Sequence, residues 1–251
     1  MINVVILGAG NVATHLLKAF EKSNEVSVLQ VYARSKKIPK STVPYTTEFS
    51  KIVDADIYII AVSDDSIQSV SKELINKKGL VVHTSGSVPM KALHRNKNYG
   101  VFYPLQTFSK DVEIDFSTVP ICLEAKTKTD LNLLKSLGNS ISQNVYEVSS
   151  EQRESLHLAA VFVNNFTNHL YYLGQEICHE NNLSFDLLKP LILETVNKLE
   201  TSSPFNVQTG PAKRGDKGTI NSHLERIKDE NIKNIYSIMS QSISKTYGKK
   251  L

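Results

Sequence analysis

Gly8-Ala9-Gly10-Asn11-Val12-Ala13 follows the apolar run Ile2 to Leu7 and opens a stretch with helical spacing. In that setting each small residue has a physical role. Gly8 permits a tight turn out of a strand, Gly10 lets a pyrophosphate approach the backbone, and Ala13 allows close packing of helix on strand. The amides of Asn11 and Val12 then stand at a helix N-terminus, where an anion is stabilised. The implied chemistry is dinucleotide binding, and the competing reading is a plain structural turn.

A second apolar run ends Val31-Tyr32-Ala33-Arg34-Ser35-Lys36-Lys37, with no Asp or Glu where an adenosine ribose would be hydrogen-bonded. Arg34 can instead clamp a 2′-phosphate through two N–H groups, and Ser35 can donate to it. That favours NADP over NAD, against the simpler view of a solvated basic turn. Three further runs end in polar residues. Val62 and Ser63 in Ala61-Val62-Ser63-Asp64-Asp65 would flank the cofactor. His83-Thr84-Ser85-Gly86 offers an imidazole and the Ser85 hydroxyl toward the nicotinamide, with His83 read either as a general acid or as a satisfied strand end. Gln106, within Tyr103-Pro104-Leu105-Gln106-Thr107-Phe108-Ser109, falls where a substrate could lie.

These residues need a sheet to hold them at one edge. Apolar runs at 2–7, 26–32, 43–46, 57–62, 80–84, 99–105, 119–124 and 144–148 alternate with helical patterns. The alternation describes an α/β fold, a Rossmann-like doubly wound, mostly parallel sheet with helices on both faces. Asp64 or Asp65 should cap one helix, and Lys128 to Leu137 should form another that stops at Gly138. The character changes near Ser149, where Ser149 and Gln152 can form a capping box. From there Leu156, Ala159, Ala160, Val163, Phe166, Leu170, Leu173 and Ile177 keep a helical period. Helices are also expected over 186–200 and over 220–247, with a break near Asp229. Residues 1–148 therefore read as the nucleotide-binding domain and 149–251 as an all-helical second domain. Between its last helices, residues 202–218 are too irregular for an element, and a loop of that length is often functional. In it, Lys213 and Arg214 could grip a substrate carboxylate or a phosphate, or Arg214 could pair with Asp216 and fix the loop.

Composition narrows the field less sharply. The chain has 251 residues and a formal charge of +4, from 29 Lys and Arg against 25 Asp and Glu, with no long basic tract. That argues against nucleic acid and only weakly for an anionic ligand. Cys122 and Cys178 lack metal spacing and disulfide patterning, no leader precedes the first strand, and no apolar run is long enough to span a membrane. A cytoplasmic protein without a metal is expected.

The chain resembles the Rossmann-like proteins that carry a domain of unknown function numbered 2520 (DUF2520), relatives of pyrroline-5-carboxylate and ketopantoate reductases. The resemblance spans nearly the whole chain. It rests on the glycine turn, on His83-Thr84-Ser85-Gly86, on Tyr103 to Phe108, and most specifically on Thr209-Gly210-Pro211-Ala212-Lys213-Arg214-Gly215-Asp216. It implies a helical second domain that forms the substrate cleft and often the dimer contact, so a homodimer is expected. In ketopantoate-reductase-like enzymes the first helix of that domain carries a proton-donating Lys, then Asn one and two turns later. Laid over this chain, the Lys site falls on His157, the first Asn site on Val161 and the second on Asn165. The Lys is missing, and His157 takes its place as candidate proton donor, with Asn165 and then His83 behind it and Asn164 on nearly the same helix face as His157.

Together these residues predict an NADP-dependent oxidoreductase that reduces a small carbonyl or imine acid by hydride transfer, with a small anionic substrate and no nucleic-acid or membrane partner. The rival is a dinucleotide-binding sensor that has lost turnover.

Overall fold

The computed structural model describes residues 1–34, 41–110 and 112–248. Eight strands form one sheet: β1 (Ile2–Leu7), β2 (Val26–Tyr32), β3 (Tyr45–Thr46), β4 (Ile57–Ile60), β5 (Leu80–His83), β6 (Tyr99–Pro104), β7 (Ile121–Ala125) and β8 (Val145–Glu147). Their order is β3-β2-β1-β4-β5-β6-β7-β8, parallel throughout except for the antiparallel pair β6 and β7. Strand order reverses beside β1, which pairs with β2 on one side and β4 on the other. Open α/β sheets bind ligands at such a switch point.

The alternation of side chains along β1 builds both layers of the core. Val4 and Ile6 face α1 (Asn11–Glu21), through Leu16 and Phe20, in a cluster that also holds Phe102, Ile121 and Leu134. Val5 and Leu7 face the other way, with Tyr58, Ile60 and the buried side of α2 (Asp64–Lys72), Ile67 and Val70. Strands buried on both faces need this near-continuous Val and Ile content. Ser63, not Asp64 or Asp65, is the N-cap of α2, and the two carboxylates sit in its first turn. There they complement the helix dipole. Gly138 does not stop α3 (Lys128–Asn139); a Cβ there would lie 3.1 Å from Cγ2 of Val145, so the glycine lets the helix pack on β8.

Helical structure begins again at α4 (Ser150–Ala160), whose N-terminus carries the expected capping box of Ser149 and Gln152. A π-helical stretch, Val161–Phe166, separates it from α5 (Thr167–Glu180). The chain divides into two compact units at 165/166, so α4 belongs to the sheet unit, later than the cut the sequence suggests at 148/149. The reason is local: Leu156 of α4 packs with Val101, Tyr103 and Cys122 of the sheet.

The second unit, 166–251, continues with α6 (Lys189–Asn197), flanked by single 3₁₀ turns. The stretch 202–218 is not structureless: it contains α7 (Pro204–Val207) and α8 (Pro211–Arg214), each with Pro in its first turn. Then come α9 (Lys217–Arg226) and α10 (Glu230–Tyr247), the latter capped by Asp229 where the break was expected. Ser244 of α10 donates to the Ala212 carbonyl of α8 at 3.0 Å, and His223 of α9 meets the Tyr236 hydroxyl at 2.8 Å. Among the described residues no helix is long and apolar enough to cross a membrane.

Candidate active site

The glycine turn has the geometry its residues require. Gly8 adopts φ +139°, and a Cβ on it would overlap the carbonyl oxygen of Ala61 at the end of β4 and lie 3.6 Å from Cβ of Ala13. Close approach of the two strands thus excludes any side chain at Gly8 and leaves room for little at Ala13. Gly10 is the N-cap of α1, has no atom within 4 Å of where its Cβ would be, and is followed by a first turn with no acidic residue. Open backbone at a helix N-terminus, with unpaired amides and no carboxylate, suits a phosphate.

A cleft of about 940 Å³ opens from this turn at the carboxyl ends of β1, β2, β4 and β6. Its walls include Gly8, Gly10, Asn11, Val12, Arg34, Val62, Ser63 and Gln106. Eight of the residues singled out from the sequence are therefore brought together there. Arg34 is exposed on the wall, beside Tyr32, whose ring stacks on Phe49 at 4.2 Å between centroids. Asn11 closes another side: its Nδ2 donates to the Phe108 carbonyl at 2.8 Å, and His15 Nε2 lies 2.9 Å from the Ser109 carbonyl. The volume is within the range of cofactor sites, and an open glycine cradle fits the diphosphate of a nicotinamide dinucleotide. Ser35 lies outside the described residues.

His83 and Ser85 occupy different ground, inside the protein and off the cleft wall. His83 is fully buried; its Nδ1 accepts from the Ser85 amide at 3.2 Å, while among the described residues its Nε2 has no well-formed hydrogen bond. Burial, reinforced by the Arg153 guanidinium, pulls the imidazole down to about 4, so the ring is neutral at physiological pH. The Ser85 hydroxyl accepts from the amides of Ser87 and Val88 at 3.1 and 3.0 Å. Both side chains shape the 83–88 turn, whose Thr84 does reach the cleft.

Arg153 on α4, which the sequence reading passed over, clamps that turn. It is fully buried, donates through Nε to the Ser85 carbonyl at 3.2 Å and through Nη2 to the Val88 carbonyl at 2.6 Å, and pairs with Glu124 of β7 at 2.7 Å. One helical turn later, His157 Nδ1 lies 3.1 Å from the Tyr103 hydroxyl. A Cβ at Gly86 would sit 2.6 Å from that nitrogen, so only glycine lets the ring lie there. Burial pushes the Tyr103 phenol up to about 12. Tyr103 stood inside a noted motif, but the signal for its role is the three-way meeting with Gly86 and His157, invisible in separate stretches of chain.

Asn164 and Asn165 are exposed on the π-helical turn that ends the first unit. Lys213 and Arg214 lie on α8 in the second. The Lys213 amine is held within its own unit, 2.7 Å from the Gln208 carbonyl and 5.6 Å from the Tyr247 ring centre. Arg214 is exposed, and among the described residues it forms no ion pair with Asp216. Asp216 instead caps α9, accepting from the amide and hydroxyl of Thr219 at 3.0 and 2.7 Å.

A Rossmann-like sheet with a helical C-terminal unit and a glycine-turn cleft defines a class of dinucleotide-fold proteins, and comparison places the chain within it. Residues 119–243 match the family described as "Domain of unknown function (DUF2520)". The match begins at Val119, so the family's domain includes β7, α3 and β8 as well as the helices. A "putative NADP oxidoreductase" of Bacteroides fragilis is 39% identical, with a TM-score of 0.90 over 97% of this chain and 98% of that one. The chain belongs to the DUF2520 family. Two more distant structures share its fold: the pyrroline carboxylate reductase of Plasmodium falciparum with NADP bound (14% identity, TM-score 0.64, 98% of each chain) and an imine reductase of Myxococcus stipitatus with NAD+ (14%, 0.61, 99% and 96%). No curated protein matches the sequence.

Proposed function

We propose that this protein is an NADP-dependent oxidoreductase that reduces a small carbonyl or imine acid. The observation that carries the reading is the cleft at the switch point, with an open glycine cradle at Gly10 and Arg34 on its wall. The 39% identical Bacteroides fragilis relative, whose name includes NADP oxidoreductase, supports it.

In this reading Gly8, Gly10, Asn11 and Val12 hold the diphosphate, while Arg34, with Ser35, holds the 2′-phosphate by charge-assisted hydrogen bonds. Val62 and Ser63 flank the nicotinamide half, and the 83–88 turn, shaped by His83 and Ser85, closes beside them. Bound NADPH supplies the hydride. His157 gives the proton, and Asn164, Asn165 and Gln106 orient polar groups of the substrate. We assign the substrate an acid group, and to Arg214 and Lys213 of the helical unit the binding of an anion. His83 serves as a neutral, buried support for the turn.

The protein acts, we infer, as a homodimer through its helical unit, where Leu187, Leu191, Leu193 and Ile238 are each more than 60% exposed. Exposed apolar side chains in that number mark an association surface.

Fluorescence titration with NADPH and NADH tests the cofactor. NADPH should bind at least about tenfold more tightly, a difference of about 1.4 kcal/mol, and Arg34→Ala should remove most of it. Equal affinities in the wild type overturn the NADP assignment. Tight NADPH binding with no oxidation by any small carbonyl or imine acid would identify a binding protein instead.

A further inference from the structure

We infer that Tyr103 is the positioning residue of His157, holding the imidazole with its proton on Nε2, the nitrogen that the proposed function assigns to the substrate. The inference rests on the reading of His157 as proton donor and adds the group that makes it one.

The Tyr103 hydroxyl lies 3.1 Å from His157 Nδ1, and among the described residues this is its hydrogen bond. The tyrosine is 9% exposed, in a cluster with Val101 and Cys122. If Nδ1 carried the ring proton, the phenol proton would be left without an acceptor in a buried setting, at a cost of about 1–3 kcal/mol. The phenol therefore donates to Nδ1, and the proton of the neutral ring is on Nε2. Burial first, then the Cys122 thiol and the Asp64 carboxylate, against the Arg153 guanidinium, push the phenol up to about 12. It stays a donor throughout the neutral range.

Two further features hold the pair in register. Gly86 leaves open the space into which a Cβ would intrude 2.6 Å from Nδ1. Arg153, one turn before His157, ties α4 to the Ser85 and Val88 carbonyls and to Glu124. Among the described residues nothing bonds Nε2, which is free to meet a ligand.

The proton inventory closes. As hydride reaches the substrate carbon, the Nε2–H bond breaks and its proton joins the carbonyl oxygen or imine nitrogen. The Tyr103 proton moves to Nδ1, so the ring ends neutral, and the phenolate regains a proton from solvent.

Nitrogen-15 NMR of the imidazoles in the unliganded protein, at alkaline pH, tests this directly. The His157 signals are assigned by their loss in His157→Gln. The wild type should show a protonated Nε2 and a hydrogen-bonded, unprotonated Nδ1. In Tyr103→Phe the Nδ1–H form should appear beside the Nε2–H form, and exchange between them should move the Nε2 signal downfield from its protonated position. A protonated Nδ1 in the wild type, or an Nε2 signal unmoved in Tyr103→Phe, overturns the inference. The wild-type spectrum decides even if the variant fails to fold, and because no dinucleotide is present its outcome is separate from the NADPH titration.

Discussion

The two units of this chain bury their apolar residues very differently. In the sheet unit Val4 to Leu7 and Ile57 to Ile60 are all fully buried, in layers that α1, α2 and α3 cover. In the helical unit the buried apolar residues, among those described, are Leu173, Cys178 and Ala212, while Leu187, Leu191, Leu193 and Phe205 face outward. A strand buried on both faces gets its environment from its own neighbours in the sheet. An amphipathic helix needs a second surface, and here much of that surface lies outside the unit's own core. Stability should therefore be concentrated in the sheet unit, and association in the helical one.

Removing one ion pair from each unit gives the sharpest contrast. Arg153→Ala deletes a fully buried guanidinium, strands Glu124 and frees two carbonyls of the 83–88 turn. Breaking a buried pair costs about 3–5 kcal/mol, readable as a fall in the urea midpoint. Lys189→Ala deletes the partner of Asp186 on the surface of the helical unit, where both side chains are mostly exposed. Exposed pairs of this kind are screened by solvent and contribute little, so the midpoint should barely move. Equal losses from the two substitutions would break the comparison.

A pH effect of somewhat smaller size should follow from His83. Its folded value is about 4 against 6.5 for the ordinary side chain. Between those values the unfolded chain takes up a proton that the folded protein refuses, so stability falls as pH drops from 6.5 towards 4 and levels off below. The loss is about 3 kcal/mol in full. In the helical unit the depressed carboxyls are those of Asp186, bonded to Lys189, and Asp216, bonded to Thr219. Their contributions are present above the ordinary carboxylate range and are lost only as pH falls below it. Urea unfolding across the upper window should show a slope that His83→Asn removes; a slope unchanged in that variant would place its origin elsewhere.

The same division decides what could be read from sequence. The strands were legible almost to the residue: the runs at 2–7 and 26–32 are β1 and β2 as found. Their signal is local, an apolar run bounded by turn residues, and the glycine turn is local too. What stayed hidden depends on distant parts of the chain. Gly138 looks like a helix stop until Val145 packs on it, and Arg153 looks like a surface residue until it meets Ser85, 68 positions away. His83 falls at a strand end as expected, but whether that end opens into the cleft or the core is set by the turn folded over it. Lys213 and Arg214 read as a matched pair of cations, yet Gln208 and Tyr247 hold one and leave the other exposed. The π-helical turn interrupts a helical period that is itself unbroken, so the pattern of apolar residues carries no sign of it.

The smallest effect on the folded subunit should come from the helical surface, and it separates stability from association. Leu191 on α6 is 63% exposed, so a lysine there can reach water without disturbing a packed core. Surface changes of this kind alter subunit stability by about 0.5 kcal/mol or less. If a second copy covers this face, however, Leu191→Lys puts a charge into each half of a symmetric contact, where desolvation opposes it twice. Sedimentation should then show a dimer in the wild type and a shift towards monomer in the variant, by at least about tenfold in the dissociation constant. A monomeric wild type would mean that the exposed leucines of α6 serve something other than self-association; a dimer unaffected by the lysine would move the contact to another face of the same unit.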